Sequence, residues 1–136
     1  MRALVADAGL GDEVEIESCG TGSWHLGQAP DGRAVEAAAQ RKITLTGTAQ
    51  RVEPADLERF DYVLAMDRDN LAELRAMASD SAQRARIGLL REYDADALAA
   101  DELEVPDPYY GEHGFEHVLD QLEAACRGLL ARITSI

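Results

Sequence analysis

The order of hydrophobic and polar positions along the chain predicts helices and strands in alternation. Apolar residues at helical spacing predict helices over residues 2–8, after Asp31, and over a long C-terminal segment. Residues 14–19 alternate between apolar and polar side chains, which is typical of a strand with one buried face. Residues 62–66 and 87–90 are compact apolar runs, and such runs indicate strands that are covered on both faces. The apolar stripe of the C-terminal helix consists of Phe115, Val118, Leu119, Leu122, Cys126, Leu129, Leu130 and Ile133.

This alternation favours a parallel, layered α/β sheet that forms a single domain over residues 1–136. In sheets of this kind the functional groups lie beyond the carboxyl ends of the strands. Three segments are therefore candidates for the functional site, namely residues 20–30, residues 67–70 and residues 106–111. Within the second segment, we expect Asp67 to act as the N-cap of a helix.

The composition is that of a soluble globular protein, with 46% hydrophobic and 29% charged residues. The two cysteines, Cys19 and Cys126, do not make the disulfide framework of a small secreted protein. The apolar runs are far shorter than a membrane span, and the first residues lack the apolar region of a secretory signal. These features predict a cytoplasmic protein that is not inserted in a membrane.

The net charge of −13, from 26 acidic and 13 basic residues, repels phosphate backbones and argues against a nucleic-acid partner. A small anionic substrate remains compatible with this charge, because a local cluster of backbone N–H groups outweighs a distant negative field. His113 and His117 are four residues apart but have no third ligand at metal-binding spacing. The sequence also lacks a dinucleotide fingerprint and a Walker-type loop, so we expect neither a metal nor a cofactor.

Several short stretches follow one another in a recognisable order over nearly the whole chain. They are Gly20-Thr-Gly-Ser-Trp-His, Arg33-Ala-Val-Glu, Phe60-Asp-Tyr-Val-Leu-Ala-Met-Asp, Asp69-Asn-Leu, Asp107-Pro-Tyr-Tyr-Gly, Phe115-Glu and Ala125-Cys-Arg-Gly-Leu-Leu. In this order they resemble the low-molecular-weight protein tyrosine phosphatase family. The resemblance implies a three-layer α-β-α fold with a parallel sheet, and hydrolysis of phosphomonoesters through a cysteinyl-phosphate intermediate. It also implies that the substrate is a phosphotyrosine protein or a small aryl phosphate.

The resemblance assigns the acid–base chemistry to Asp107, the aspartate of Asp-Pro-Tyr-Tyr. In that role Asp107 protonates the leaving oxygen as a general acid and then takes a proton from water as a general base. Pro108 favours this role because a proline holds the preceding residue in extended backbone. Tyr109, Tyr110 and Trp24 are expected to line the substrate cleft, where the tyrosines stack on an aromatic leaving group.

The resemblance also implies a nucleophile, which members of this family carry on a Cys-x5-Arg loop between their first strand and first helix. The similarity here starts inside that helix, so we expect that the first, central strand and the loop are missing from the chain as written. We therefore expect this form to be inactive. Cys126 and Arg132 do have the Cys-x5-Arg spacing, but they lie in a predicted helix, whose N–H groups are already bonded and cannot surround an anion. Cys19 is followed six residues later by His25 and is expected to be structural.

Loss of a central strand removes about five buried apolar residues, which stabilise a fold by roughly 10 kcal/mol in total. Because this matches the net stability of a typical domain, the sequence predicts a poorly folded or aggregation-prone short form. Either the native protein begins upstream of Met1 and is an active phosphatase, which we favour, or the short form is real. An alternative on the same fold is a catalytically silent domain that binds a phosphoprotein or another protein. Arsenate reduction is a weaker alternative, because residues 76–105 contain no cysteine to relay a disulfide.

Overall fold

The computed structural model of the protein describes residues 1–21, 27–106 and 114–135. Within these ranges, two strands are separated and flanked by helices, as the hydrophobic pattern predicted for residues 62–66 and 87–90. The elements in chain order are α1 (Arg2–Asp7), α2 (Gly32–Gln40), α3 (Asp56–Arg59), β1 (Val63–Ala65), α4 (Arg68–Met77), α5 (Ser81–Ala85), β2 (Ile87–Leu89), a 3-10 helix (Leu90–Tyr93), α6 (Ala95–Ala100) and α7 (Gly114–Thr134).

Strands β1 and β2 pair in parallel, with Val63 opposite Ile87 and Ala65 opposite Leu89. The connection between them contains α4 and α5, as a parallel pair requires a crossover rather than a tight turn. An isolated parallel bridge joins Gly20 to Arg51. The predictions of a parallel sheet and of strands within residues 62–66 and 87–90 are therefore confirmed.

Side chains on β1 alternate between two hydrophobic clusters, one on each face of the sheet. Val63 and Ala65 contact the first cluster, whereas Tyr62 and Leu64 contact the second. This alternation places helices on both faces, which is the layered arrangement that the sequence predicted. The buried residues of the first cluster are Val52, Leu57, Ala65, Leu74, Ala78, Ile87 and Leu89. Those of the second cluster are Leu90, Ala125, Cys126 and Leu129.

Residues 14–19 differ from the prediction, because the structure does not place them in a strand. The alternation of burial is still present, since Val14 and Ile16 are partly buried while Glu15 and Glu17 are exposed. Alternation marks a face to be buried, but a strand also needs a neighbour that accepts its backbone hydrogen bonds. Here side chains provide that contact, because Arg2 Nη2 donates to the carbonyl oxygen of Ile16 at 2.9 Å. Arg59 forms ion pairs with Glu15 and Glu17 on the same segment.

Helix α6 is an element that the hydrophobic pattern did not predict. Only Ala97 is buried in it, so the segment carries no apolar stripe. The helix is instead specified locally, because the Asp94 side chain accepts hydrogen bonds from the N–H groups of Asp96 and Ala97. Alanine, the best helix former, occupies four of its six positions.

Helix α7 packs closely against the 3-10 helix, and Gly128 makes this approach possible. A β-carbon placed on Gly128 would overlap the carbonyl oxygen of Tyr93. The Tyr93 ring in turn lies edge-on to Tyr62, with ring centroids 6.4 Å apart. Gly128 therefore links α7 to the second cluster through backbone contact rather than through a side chain. None of the described helices is long and apolar enough to cross a membrane.

We predict that Gly128→Ala destabilises the protein by about 1–3 kcal/mol, because the added methyl group forces α7 away from Tyr93. Gly32→Ala is the matched control, since Gly32 is also helical and a β-carbon there meets no atom within 4 Å. The free energy of unfolding from urea denaturation, followed by circular dichroism, distinguishes the two variants. Equal stability of both variants would contradict the close packing.

Candidate active site

Described residues in or next to each of the three segments that the sequence selected lie near the carboxyl end of β1. Thr21, in the first segment, has its Oγ1 atom 3.1 Å from Oδ1 of Asn70, in the second segment. The third segment is reached through Val105, whose N–H donates to the carbonyl oxygen of Met66 at 2.8 Å. These hydrogen bonds join the described start of the first segment to the second, and hold the residue just before the third segment beside the end of β1.

The second segment is the N-terminus of α4, and Asp67 is its cap. The Asp67 carboxylate accepts a hydrogen bond from the N–H of Asn70 at 2.8 Å, so the predicted capping role is confirmed. The N–H of Arg68 is bound by Oε1 of Glu104 at 3.0 Å. Two of the four free N–H groups of α4 are thus occupied by carboxylates that the helix dipole favours. The same contacts fix Asn70 where it meets Thr21.

Residues 47–52 close the base of the first segment, although no hydrophobic periodicity marks them as part of the site. Gly20 donates to the carbonyl oxygen of Gln50 at 2.8 Å and accepts from the N–H of Val52 at 2.9 Å. At the other end of the loop, Gly27 donates to the Ala49 carbonyl oxygen at 2.7 Å. Gly27 has a φ of 81°, a left-handed conformation that favours glycine there. Gly20 and Gly27, the two ends of this loop, are therefore both held by hydrogen bonds to residues 47–52.

The segment that carries Asp107 is likewise anchored on both sides. Before it, Val105 is bound to Met66 as described above, and Pro106 follows. After it, the guanidinium of Arg33 lies 5.3 Å from the ring centroid of Phe115, a cation–π contact between α2 and α7. Arg33 also forms an ion pair with Asp31 at 3.3 Å. The entrance and the exit of the segment are therefore held by different elements of the fold.

Comparison with known proteins identifies the family. The sequence profile of the low molecular weight phosphotyrosine protein phosphatase family matches residues 1–135. The chain belongs to this family. It is 44% identical to the low molecular weight protein-tyrosine-phosphatase of Streptomyces coelicolor over 133 residues, which cover 97% of this chain and 80% of that protein. It is 42% identical to low molecular weight phosphotyrosine protein phosphatase 2 of Drosophila melanogaster over 140 residues, covering 100% of this chain and 83% of that protein.

Solved structures of phosphatases have the same fold. The crystal structure of YfkJ from Bacillus subtilis matches with a TM-score of 0.88 and 36% identity, over 98% of this chain and 82% of that chain. A protein tyrosine phosphatase from Entamoeba histolytica, crystallised with Hepes in the active site, matches with a TM-score of 0.90 and 31% identity. That match covers 98% of this chain and 84% of the other. The family and the three-layer α/β fold that the motifs predicted are both confirmed.

The phosphatase residues that the sequence selected lie outside the described residues. This applies to Asp107, Tyr109 and Tyr110 in the third segment and to Trp24 in the first. Their roles remain predictions. What the structure describes is the frame on either side of them, including the hydrogen bonds of Gly20, Gly27 and Val105. Because this frame is made mostly of backbone groups, residue types gave little sign of it.

Neither cysteine of this phosphatase domain has the environment of a nucleophile. Cys126 is only 8% exposed and packs in the second cluster, which confirms the expectation that it is a core residue. Cys19 is exposed overall, but partial burial of its thiol raises the pKa, and the carboxylates of Asp56 and Glu17 raise it further. A catalytic thiol needs the opposite shift, toward the thiolate.

We predict that the capping carboxylate of Asp67 contributes measurably to stability. Asp67→Ala removes the bond to the Asn70 N–H and should lower the free energy of unfolding by about 0.5–2 kcal/mol. Asp67→Asn retains a capping oxygen and serves as the control, with little change expected. Denaturant unfolding measures both, and an alanine variant as stable as the asparagine variant would contradict the capping role.

We also predict that Cys19 reacts with iodoacetamide at pH 7 more slowly than free cysteine. Its raised pKa leaves less thiolate at that pH, and its rate should keep rising at pH values where free cysteine has reached its plateau. A Cys19→Ser variant, which retains only the buried Cys126, should stay unlabelled until denaturant is added. Labelling of Cys19 faster than free cysteine would indicate an activated thiolate and contradict the prediction.

Proposed function

We propose that this domain performs protein tyrosine phosphatase chemistry, the hydrolysis of phosphomonoesters through a cysteinyl-phosphate intermediate, with Asp107 as general acid and base. The observation that carries the proposal is that Thr21 meets Asn70 and Val105 meets Met66 beyond β1, next to the three segments, in a chain that belongs to this phosphatase family. Asp107 follows Val105 by two residues, and the Val105 N–H is bonded at the end of that strand.

The reaction has two steps with complementary roles for one carboxyl group. A thiolate attacks phosphorus, the bond to the leaving oxygen breaks, and Asp107 transfers its proton to that oxygen. Water then attacks the phosphorus of the cysteinyl phosphate, Asp107 takes a proton from the water, and the sulfur–phosphorus bond breaks. Phosphate is released and the thiolate is restored. The general acid typically contributes a factor of about 10²–10⁴ to such a rate.

The nucleophile in this proposal comes from outside the 136 residues. Cys126 is buried in α7, whose backbone N–H groups are bonded within the helix and cannot cradle a phosphate. Cys19 has its pKa raised rather than lowered. We therefore propose that the 136 residues are inactive by themselves, and that a Cys-x5-Arg loop must be supplied for turnover.

The proposed substrate is a phosphotyrosine protein or a small aryl phosphate. The family name and the names of the Streptomyces coelicolor and Drosophila melanogaster relatives support phosphotyrosine as the reacting group. Trp24, Tyr109 and Tyr110 would supply aromatic surface for the phenyl ring. The net charge of −13 disfavours nucleic acid as a partner. A cytoplasmic location is part of the proposal, since a reactive thiolate requires a reducing compartment.

The proposal predicts that the 136-residue protein does not hydrolyse p-nitrophenyl phosphate above the rate of buffer. The same residues preceded by a strand and a Cys-x5-Arg loop, here termed the extended protein, are expected to do so. In the extended protein, Asp107→Asn should lower kcat/KM for phenyl phosphate by about 10²–10⁴-fold, because a phenolate leaves slowly without a proton. Asp101→Asn, an exposed aspartate outside the three segments, is the matched control.

Two outcomes would overturn the proposal. Turnover by the 136 residues alone that is lost in Cys126→Ser or Cys19→Ser would show that the nucleophile lies within them. An unchanged kcat/KM for Asp107→Asn would remove the acid assignment. The alternative of a silent binding domain predicts a third result, in which the extended protein binds a phosphotyrosine peptide and releases no phosphate.

A further inference from the structure

Arg91 is a buried cation whose position the proposed mechanism does not yet use. It belongs to the 3-10 helix and is only 7% exposed. Among the described residues it forms no ion pair with a carboxylate, and its Nε atom is buried without a hydrogen-bond partner. Burying a guanidinium costs free energy unless it is paired and hydrogen-bonded, so the contact that Arg91 does make is informative.

The one described contact of the Arg91 head group leads to the segment that carries Asp107. Its Nη1 atom donates to the carbonyl oxygen of Glu104 at 2.7 Å, a charge-assisted hydrogen bond. The next residue, Val105, donates its N–H to Met66 at 2.8 Å. Residues 104 and 105 are thereby held by Arg91 and by the end of β1, in addition to the bond between the Glu104 side chain and the N–H of Arg68. Asp107 is three residues after Glu104.

Side-chain packing alone does not hold this stem. A cavity of about 290 Å³ lies against it, lined by Arg91, Glu104, Pro106 and Gln121 among others. Gln121, on the α7 side of the cavity, has a buried Oε1 atom that bonds to no described group. Pro106 is exposed and has no N–H to donate. The hydrogen bonds to Glu104 and Val105 are therefore the main restraints on the stem before Pro106.

We propose that Arg91 is a positioning residue, which sets the location of the general acid by holding the Glu104 carbonyl. The inference rests on the proposed function of Asp107. Removing the hydrogen bond from Arg91 lets the stem shift into the neighbouring cavity, and a displacement of about 1 Å can cost a catalytic step as much as 10²-fold. The loss is expected in proton transfer, because the described hydrogen bond of the Arg91 head group is with the stem that precedes Asp107.

The test compares two substrates that depend differently on the general acid. In the extended protein, Arg91→Met should lower kcat/KM for phenyl phosphate by about 10–100-fold. For p-nitrophenyl phosphate, whose leaving group needs less protonation, the loss should be no more than about threefold. Arg91→Lys keeps the charge and a donor, and should recover part of the loss; it also serves if the methionine variant fails to fold. Arg75→Met, at an exposed α4 position whose side chain forms no ion pair with a described residue, is the matched control.

A second measurement separates this inference from the proposed function. Amide hydrogen exchange at Val105 should become at least about tenfold faster in Arg91→Met, while exchange at the core residue Leu74 stays unchanged. If Asp107→Asn shows the dependence on leaving group and Arg91→Met does not, the positioning role is overturned and the proposed function stands. Equal losses on both substrates, or unchanged exchange at Val105, would also overturn it. If Asp107→Asn itself lacks the dependence, the acid assignment fails, and this inference fails with it.

Discussion

Backbone hydrogen bonds pair β1 and β2 in parallel, so the carboxyl ends of both strands lie at the same edge of the sheet. The candidate site depends on that edge. The strands are three residues long, so their carboxyl ends lie close to the core that they form. Met66, the residue after β1, accepts the N–H of Val105 and so brings a distant part of the chain to the same place. Asp67 follows at once and caps α4. The pairing of β1, the capping of α4 and the position of Val105 therefore all depend on a few residues that follow one another in the chain.

In the described part of the chain, whose net charge over all 136 residues is −13, arginine side chains make most of the long-range side-chain hydrogen bonds and ion pairs. Arg41, at the end of α2, binds Glu116, Asp120 and Glu123 of α7 at distances of 2.8, 2.9 and 3.3 Å. The hydrogen bond that Arg41 donates to the Glu116 carboxylate is the largest of several carboxylate effects that raise the pKa of Arg41. Exposed ion pairs contribute little stability individually, so the value of such contacts lies in orientation. Arg91 is the buried case, and it binds a carbonyl oxygen rather than a carboxylate.

Family membership and local geometry explain different parts of this phosphatase domain. Membership accounts for the order of the motifs and for the reaction that they imply. The geometry accounts for how the ends of the loops are held, by Gly20 and Gly27 on one side and by Val105 on the other. It also removes Cys126 as a nucleophile, because a thiol packed among leucine side chains in a helix cannot meet a phosphate. Together they describe a phosphatase fold in which backbone hydrogen bonds hold the ends of the loops beside β1.

The sequence by itself determined the parallel sheet, its two apolar strands, the long C-terminal helix and the capping role of Asp67. These depend on hydrophobic periodicity and on single side chains close in the sequence, which a linear pattern records. Only the tertiary structure decided that residues 14–19 form no strand, since pairing needs a neighbour that periodicity cannot reveal. It alone also brought residues 47–52 to the base of the first loop and Arg91 to Glu104. In both cases the acceptor or donor is a backbone group, which every residue carries and no sequence pattern marks.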